Sequence, residues 1–423
     1  MKYIKIYLAM LLLTVGTANA SAQQLSVIVV DRIWYKVLSE PKDGMPGEVE
    51  VTATQSDGIN DFTEEYIPDE ITSDGKTYHV VSFGDVYRTR LSQLRLGKYI
   101  RNIANDYYFY NEYFVISEEN ETFKSIHGLV FSKDGKKLIV CPKKLTFNWN
   151  EFPSDVKRWS IPDSVEVIGK GAFFDCVLNK QYPVTFYVTF PSELKIIEDR
   201  AFYSSDPTWA GATDKFGTDV ITFPTKLESI GVRAFSYLGL KKVEFNEGLI
   251  EIGKEAFMFN DLEDVTLPST LKKIGDNVFE YTPIKTITCL ASEPPTAEEI
   301  EGWEVPKYSI TGKEANQILV VPVGKVDLYK EAPGWNLFGK IVEIGTDAIN
   351  DANSGSNSIS ASYDNSILTI KGVKRGERIH IYTTAGILIK SIKADGETVS
   401  ISLPQSNQIV IIKTENHILK TKI

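Results

Sequence analysis

The sequence predicts a mainly β protein: a right-handed parallel solenoid of stacked units, with an N-terminal β cap before it and a small C-terminal β-sandwich after it. Two observations support this prediction. A motif recurs at a 22-residue step in the middle of the chain, and short runs of alternating apolar and polar residues occur near both ends. A repeat unit cannot bury its apolar face alone, so neighbouring units must stack.

Composition limits the classes of function. The chain has 423 residues, enough for two or three domains, and 24% of them are charged, which is close to the average of soluble proteins. A formal net charge of −10 disfavours nucleic acid as a partner, because nucleic-acid binders carry a basic field. Four histidines and three cysteines leave little material for a metal or thiol enzyme, so we expect no cofactor.

Residues 1–20 have the pattern of a secretory signal peptide. Lysines near the start precede an apolar run at 6–15, and Ala18-Asn19-Ala20 supplies the small-x-small cleavage site. The run is too short for a comfortable membrane span, and no later stretch approaches about 20 apolar residues. We therefore expect an exported protein, at the cell surface or extracellular, with no transmembrane helix after signal cleavage.

Three cysteines are expected to be buried free thiols. Cys141, Cys176 and Cys289 are odd in number and far apart in sequence, and Cys141 and Cys289 lie among apolar neighbours. In such positions cysteine acts as a small hydrophobic residue.

Residues 21–65 are predicted to form the N-terminal β cap, because terminal repeats need a polar outer face. The strand pattern is clearest at 27–30, 33–37 and 49–51.

The repeat is clearest in the motif Ile-Gly-x-x-Ala-Phe. Its isoleucine falls at Ile230, Ile252 and Ile274, and earlier copies contain Ile168 and Ile197. Before the motif, residues 240–245 alternate in polarity, which is typical of a strand with one buried face. We interpret each unit as this strand, a turn at the Ile-Gly pair, and two buried plugs from the Ala-Phe pair. A degenerate copy is expected around residues 94–103.

These residues resemble the BspA-type leucine-rich repeats of bacterial surface and secreted proteins. The resemblance rests on residues 161–169 with Ala172-Phe173, and on a period inside the 20–29 range of leucine-rich repeats. Residues 123–142 are similar to the family's β-hairpin insert, and residues 289–295 and 319–335 to its closing segment. The solenoid is therefore assigned to residues 66–348. The resemblance implies adhesion or protein–protein interaction.

A linker and a last module follow. Residues 349–358 are rich in Asn, Ser and Gly, which is typical of flexible linkers. Residues 359–423 contain short apolar runs at 367–370, 379–382, 401–403 and 409–412, separated by turns, and are predicted to be the β-sandwich. Its nine basic and five acidic residues contrast with an acidic body.

The last module also resembles type IX secretion sorting domains. The resemblance rests on residues 379–382 with Gly386, on the later strands, and on the basic end Lys420-Thr421-Lys422. The family places a Gly-x-Tyr before its penultimate strand, where this chain has Ser406-Asn407-Gln408. The resemblance implies sorting by an outer-membrane machine of a Gram-negative bacterium. The alternative is a stabilising cap or spacer.

The sequence contains no recognisable catalytic constellation. Its histidines, at positions 79, 127, 380 and 417, lie in separate modules, and no His-Glu-x-x-His, Gly-x-Ser-x-Gly or phosphate-binding glycine loop occurs. We therefore expect no enzymatic activity.

Two groups of residues are candidate binding residues. The outward face of the repeat strands should carry Lys242, Glu244 and Asp264, with Lys242 facing Asp264 on the next strand, about 4.8 Å away. Insertions between repeats carry aromatic side chains of the kind favoured at interfaces, namely Tyr203, Trp209, Phe216, Trp303 and Tyr308. The structural alternative is a merely solvated sheet, with rings packed back onto the solenoid.

The sequence thus predicts a secreted or cell-surface protein that binds an extracellular or host protein and is not an enzyme. Two alternatives stay open. A carbohydrate-binding accessory protein would use the loop aromatics to stack on a glycan, and a structural spacer would hold the C-terminal module away from the cell.

Overall fold

The computed structural model describes residues 27–54, 65–84, 93–104, 113–142, 161–176, 188–205, 218–297, 309–312, 314–344, 359–364, 366–383, 388–403, 409–414 and 418–422. The predicted signal peptide and linker lie outside these residues. The described part is mostly β, as the sequence predicts. Its one α-helix is α1 (Val326–Glu331), and 3₁₀ turns occur at Glu314–Asn316 and Trp335–Leu337.

The N-terminal part contains two sheets over one hydrophobic core. The strands expected at 27–30, 33–37 and 49–51 are present as the first three. Along the second, Tyr35 is buried and Trp34 is exposed, so one face of the sheet covers the core. The strands are β1 (Val27–Val30), β2 (Ile33–Ser39), β3 (Gly47–Thr54), β4 (Glu65–Ile67), β5 (Glu70–Ser73), β6 (Lys76–Phe83), β7 (Gln93–Leu96), β8 (Asn102–Ile103) and β9 (Tyr113–Ile116). Their orders are β1-β2-β3-β6-β5, with β8 beside β6, and β4-β7-β9.

Parallel pairing begins within this N-terminal part. β4 pairs with β7, β7 with β9 and β6 with β8, all in parallel. The fully buried Asn120 donates to the carbonyls of Gly97 and Ile100 and accepts from the amides of Thr122 and Phe123. Because β7 and β8 both pair in parallel with their neighbours, the degenerate copy expected around residues 94–103 has the strand pairing of a repeat unit.

A three-stranded antiparallel meander leads into the main ladder. It consists of β10 (Phe123–Ile126), β11 (Leu129–Ser132) and β12 (Lys137–Val140), at the position predicted for the hairpin insert. The ladder then continues in parallel through very short strands, which are β13 (Val167–Ile168), β14 (Ile196–Ile197), β16 (Ser229–Ile230), β18 (Glu251–Ile252), β20 (Lys273–Ile274) and β22 (Thr296–Ala297).

From β15 onward, the units contribute a second, longer strand. These strands are β15 (Val220–Thr222), β17 (Lys242–Glu244), β19 (Asp264–Leu267), β21 (Thr286–Cys289), β23 (Ile318–Val321) and β24 (Lys340–Glu343). β15 pairs with β17, and β19-β21-β23-β24 form another parallel sheet. The prediction of a turn at the Ile-Gly pair was wrong for the isoleucine, which ends a short strand. Two residues are too few to show an alternating pattern.

The isoleucines and phenylalanines of the motif stack in columns, as predicted. Ile230, Ile252 and Ile274 are register partners on successive strands, and all three are fully buried. Five buried phenylalanine rings also stack from unit to unit, with centroid separations of 5.0, 5.1, 5.3 and 5.8 Å: Phe173, Phe202, Phe235, Phe257 and Phe279.

The glycine of the motif is required because neighbouring units approach closely. A Cβ atom on Gly253 would lie 2.7 Å from the backbone of Gly231, and one on Gly275 would lie 2.2 Å from the backbone nitrogen of Lys254. A side chain at either position would push two units apart.

The three cysteines are buried free thiols, as expected. Two of them, though far apart in sequence, are neighbours in space: the Sγ atoms of Cys141 and Cys176 lie 3.3 Å apart. Cys289 accepts a hydrogen bond from the Tyr329 hydroxyl at 3.2 Å, and burial raises the pKa of its thiol to about 11.

The C-terminal module, residues 359–422, consists of two antiparallel sheets that enclose a core of their own. One has the order β25-β26-β29 and the other β28-β27-β30-β31. The strands are β25 (Ser360–Asp364), β26 (Ile367–Lys371), β27 (Arg378–Thr383), β28 (Leu388–Lys393), β29 (Thr398–Ser402), β30 (Ile409–Lys413) and β31 (Ile418–Lys422).

We expect Phe257→Ala to lower the free energy of unfolding by about 3–5 kcal/mol, because it removes a fully buried ring that stacks on two others. Urea denaturation measures the change. Tyr281→Ala is the matched control, since the Tyr281 ring is 54% exposed, and it should cost roughly 1 kcal/mol. A loss below about 1 kcal/mol for Phe257→Ala would contradict the stacked core.

Candidate binding surfaces

The aromatic residues predicted to bind are only partly within the described residues. Trp209, Phe216, Trp303 and Tyr308 lie outside them, and their role stays a prediction. Tyr203 is described: its ring stacks on Phe174 at 5.3 Å and meets Tyr237 edge-on at 5.7 Å. Both partners belong to adjacent units, so Tyr203 is part of the repeat stack.

These rings continue into an aromatic ladder on the surface of the stack. Tyr237, Phe259 and Tyr281 follow at the same 22-residue step, with ring centroids 4.3 Å apart in each pair. We call the five rings, Phe174, Tyr203, Tyr237, Phe259 and Tyr281, the aromatic ladder. All are at least partly exposed. The sequence analysis overlooked the last three, although their spacing equals that of the motif.

The aromatic ladder forms despite an unfavourable backbone. Tyr237, Phe259 and Tyr281 have φ angles of 63°, 55° and 57°, in the left-handed region that bulky residues rarely adopt. Such a conformation costs about 1–3 kcal/mol per residue. Each stacked pair contributes about 0.5–1.5 kcal/mol, which offsets part of that cost.

The strand residues predicted to bind lie on the long strands. Lys242 Nζ is 3.3 Å from Glu244 Oε1, and Thr222 donates to Glu244 Oε2 at 2.8 Å. Lys242 is the register partner of Val220 on β15, and Asp264 is the register partner of Thr286 on β21. No strand pairing joins β17 to β19 among the described residues, so the expectation that Lys242 faces Asp264 stays a prediction.

The C-terminal module packs against this side of the repeat region. Along β27, Ile379 and Ile381 belong to the module's own core, so the alternating side chains point the opposite way. The same holds along β30, where Val410 and Ile412 point inward. We call the outward residues, with one from β28, the docking face: His380, Tyr382, Leu388, Ile411 and Lys413.

The contact between the docking face and the repeat region has an apolar centre. Tyr382 and Ile411 are buried in one cluster with three repeat-region residues, Leu290, Val320 and Ile344. Ile318, Val342 and Leu388 pack around this cluster while remaining partly exposed. The strands β23 and β24 supply most of the apolar repeat-region side, and the hydrogen bond from Tyr382 to Glu247 extends the contact to the unit of β17. The module therefore lies along the side formed by β17, β19, β21, β23 and β24, which we call the long-strand sheet.

Polar groups border this apolar centre. The Tyr382 hydroxyl donates to Glu247 Oε1 at 2.9 Å, while Ser269 donates its hydroxyl to Glu247 Oε2 at 2.7 Å. Burial lowers the pKa of Lys413 to about 8, although Glu247 and Glu244 act in the opposite direction. Burial also lowers the pKa of His380 to about 4, and its Nδ1 atom has no hydrogen-bond partner among the described residues.

The short strands present another surface, which the sequence analysis missed. The first residue of each short strand points away from the core and aligns in register with the next. We call this set the outer row: Lys137, Val167, Ile196, Ser229, Glu251, Lys273 and Thr296. Each member is partly or fully exposed. The residue before each motif isoleucine would have identified the row, had the short strands been recognised.

Ion pairs hold the charges beside the outer row in place. Glu166 accepts from Lys136 at 2.7 Å and from Lys195 at 2.8 Å, and these two bonds lower the pKa of its carboxyl to about 2. Lys137 Nζ lies 2.6 Å from Glu198 Oε1. The outer row therefore combines ordered charges with exposed apolar side chains such as Ile196.

No group of three or more His, Cys, Asp or Glu side chains in the described part of the chain is arranged to hold a metal ion. No helix within the described ranges is long and apolar enough to cross a membrane.

Comparison with solved structures finds proteins of low identity, and the first is a leucine-rich repeat protein. One from Bacteroides ovatus is 20% identical, with 75% of this chain and 76% of that chain covered and a TM-score of 0.37. The pneumococcal vaccine antigen PcpA is 14% identical, with 76% and 99% covered and a TM-score of 0.32. A leucine rich cell surface protein from Faecalibacterium prausnitzii is 14% identical, with 76% and 73% covered and a TM-score of 0.32.

Comparison with curated sequences and with family models gives different results. No curated protein matches the chain. The family model that matches is the BspA type leucine rich repeat region, in six copies over residues 152–209 and 214–300. These are the residues that carry the Ile-Gly motif, the phenylalanine columns and most of the outer row. Residues 152–209 and 214–300 of this chain therefore match BspA-type leucine-rich repeats.

Proposed function

We propose that this chain is an exported, non-catalytic protein of the bacterial surface, whose leucine-rich repeats bind an extracellular or host protein and so mediate adhesion. The observation that carries the proposal is the pair of continuous rows on the stack, the outer row and the aromatic ladder. Side chains at a fixed spacing along an extended stack suit a macromolecular partner, as in other repeat proteins.

The proposal includes a domain organisation. Residues 1–20 are the signal peptide, 21–65 the β cap, 66–348 a right-handed parallel solenoid, 349–358 the linker and 359–423 a β-sandwich. The parallel pairing of the short and long strands supports the solenoid, since parallel connections are almost always right-handed. The two sheets around one core support the sandwich.

A protein partner fits the outer row better than a glycan does. The row mixes Lys137, Glu251 and Lys273 with the apolar Val167 and Ile196, and Ile196 is 38% exposed. Interfaces between proteins combine apolar and charged contacts of this kind. The ladder rings stack on each other, which leaves mainly their edges to solvent. The loop residues Trp209 and Trp303 keep carbohydrate binding as the second candidate.

We expect two sets of variants to weaken capture of the partner without altering the fold. The first set, Ile196→Asp with Lys273→Glu, replaces an apolar and a basic side chain of the outer row by acidic ones. The second set, Trp209→Ala with Trp303→Ala, removes the loop rings. Each should reduce capture of extracellular host protein about tenfold or more, because interface anchors typically contribute over 1 kcal/mol. Immobilised wild-type and variant protein are compared in pull-downs, with a glycan array in parallel.

The matched controls place the same changes elsewhere. Ile367→Asp alters an isoleucine that is 44% exposed on the C-terminal module, and Trp34→Ala removes an exposed N-terminal ring. Both should capture the partner normally. Variants that melt early without losing capture would show that the altered residues are structural, and strong selective glycan binding would favour the carbohydrate alternative.

The resemblance of the C-terminal module to sorting domains leads to a second expectation. Deleting residues 359–423 should leave the repeat region folded but retained in the periplasm, since the signal read by the outer-membrane machine would be lost. Surface labelling of intact cells, compared with fractionation, measures the outcome. Surface exposure at the full-length level would contradict the sorting role, and insolubility of the truncated protein would indicate a stabilising cap.

A further inference from the structure

The C-terminal module meets the repeat region through a contact that resembles an interface between two proteins. We propose that the module is a separate folded body that docks non-covalently on the long-strand sheet of its own chain, and that this contact persists when the connecting segment is cut. The occupant of that sheet is thus residues 359–422, held by the docking face.

The apolar part of the contact supports this proposal. Ile411 is fully buried although it points away from the module's own core, and Tyr382 is 2% exposed in the same cluster. If the module stood alone, both side chains would lie on an open sheet face. Apolar area removed from water contributes about 25 cal/mol per Å², so their burial favours docking.

The polar groups of the contact fix the orientation of the module on the repeat region. Glu247 lies between Ser269 of the repeat region and Tyr382 of the module, and it accepts a hydrogen bond from each. Lys413 lies close enough to Glu247 and Glu244 to be attracted by both. Hydrogen bonds to a carboxylate are stronger than neutral ones and depend on geometry, so they fix how the module sits.

Docking also covers the surroundings of Glu244, one of the residues first predicted to bind a partner. If the proposed function is correct, a partner that needed this part of the sheet would compete with the module. This consequence rests on the proposed function, whereas the docking itself does not.

The contact should weaken in acid. His380 faces Lys413, Arg378 and Glu244, and Lys413 faces Glu247, Glu244 and Lys242. The pKa of His380 is about 4 in the docked state, against 6.5 for an ordinary histidine. Undocking exposes the imidazole and moves its pKa towards the ordinary value, although Lys413 and Arg378 of the module still lower it. The undocked module therefore binds more protons in this range, and lowering the pH favours release. Burial also lowers the pKa of Lys413, so at higher pH the protonation of Lys413 likewise favours release as the pH falls.

The experiment uses the full chain with a protease recognition sequence inserted after Ser356. The purified protein is cut, and size-exclusion chromatography over a dilution series compares pH 8 with pH 5. We expect the two fragments to elute together at pH 8, at the mass of one chain. At pH 5 their dissociation constant should be roughly tenfold higher, so they separate earlier in the dilution series.

Two variants provide the matched comparison. Leu388→Asp places a charge on the partly exposed edge of the docking face and should separate the fragments at pH 8. Ile367→Asp makes the same kind of change on an exposed strand outside the docking face and should leave them together. Circular dichroism checks that both modules stay folded. Unsubstituted fragments that separate at pH 8, or that bind as tightly or more tightly at pH 5, would overturn the proposal.

A second inference concerns Cys141 and Cys176, and it rests on a different observation. The structure assigns these residues as a pair that closes into a disulfide when the chain folds in an oxidising medium. Both Sγ atoms lie near the carbonyl oxygen of Pro142, at 3.5 and 3.3 Å, and their mutual distance of 3.3 Å must shorten to about 2 Å. Cys289 lies elsewhere, against Tyr329.

The oxidant in this reaction is a small disulfide such as oxidised glutathione. One cysteine thiolate attacks it, forms a mixed disulfide and releases one reduced glutathione. The second cysteine thiolate then displaces the other glutathione, and the Cys141–Cys176 bond forms. The protein loses two electrons and two protons, which two glutathione molecules take up. Because both thiols are buried, the reaction belongs to folding, before the core closes.

Refolding the full chain in oxidised or in reduced glutathione tests this inference. After oxidative refolding and denaturing alkylation, we expect one of the three thiols to react, and three after reductive refolding. The oxidised form should melt several degrees higher, because the bond lowers the conformational entropy of the unfolded chain. Cys176→Ser should abolish the difference and Cys289→Ser should keep it. Three reactive thiols after oxidative refolding would overturn the assignment.

Discussion

The stacking of one repeat unit on the next is the interaction on which the rest of this structure depends. Five phenylalanine rings continue from unit to unit with centroids 5.0–5.8 Å apart, and the isoleucines form a buried column beside them. Gly253 and Gly275 let the backbones approach closely enough for this contact. Each unit thus covers the core of its neighbour, and stability is close to a sum of nearest-neighbour terms.

The regular repeat that stacks the core also places charged surface side chains of successive units next to each other. Ion pairs join residues one period apart, as in Lys241 with Asp219 at 2.8 Å and Lys285 with Glu263 at 2.6 Å. Pairs of this kind are exposed and contribute little to stability individually. They hold long side chains beside the long strands in a fixed arrangement, however. Order of this kind lowers the entropy that a surface loses when it binds a partner.

The 22-residue step predicted the buried columns of the repeat correctly, but other features of the stack were missed. The buried columns followed directly from the recurrence of Ile230 and Phe235. The short strands were missed because two residues cannot show alternation. The contact between Cys141 and Cys176 could not be seen, because insertions break the step between them. Tyr237, Phe259 and Tyr281 keep the step, and a column-by-column comparison would have identified the ladder.

The C-terminal module shows what a sequence pattern can reveal about contacts between domains. Residues 409–412 are all apolar, whereas other strands of the module alternate, as Thr398–Ser402 does. A continuous apolar strand needs cover on both faces. Val410 and Ile412 find it in the module's core, and Ile411 finds it against the repeat region. The sequence therefore indicates the docking face, because it contains more apolar residues than a small sandwich alone needs to fill its core. The module packs along the long strands, whereas the outer row and the aromatic ladder keep their partial or full exposure, so docking leaves both rows accessible.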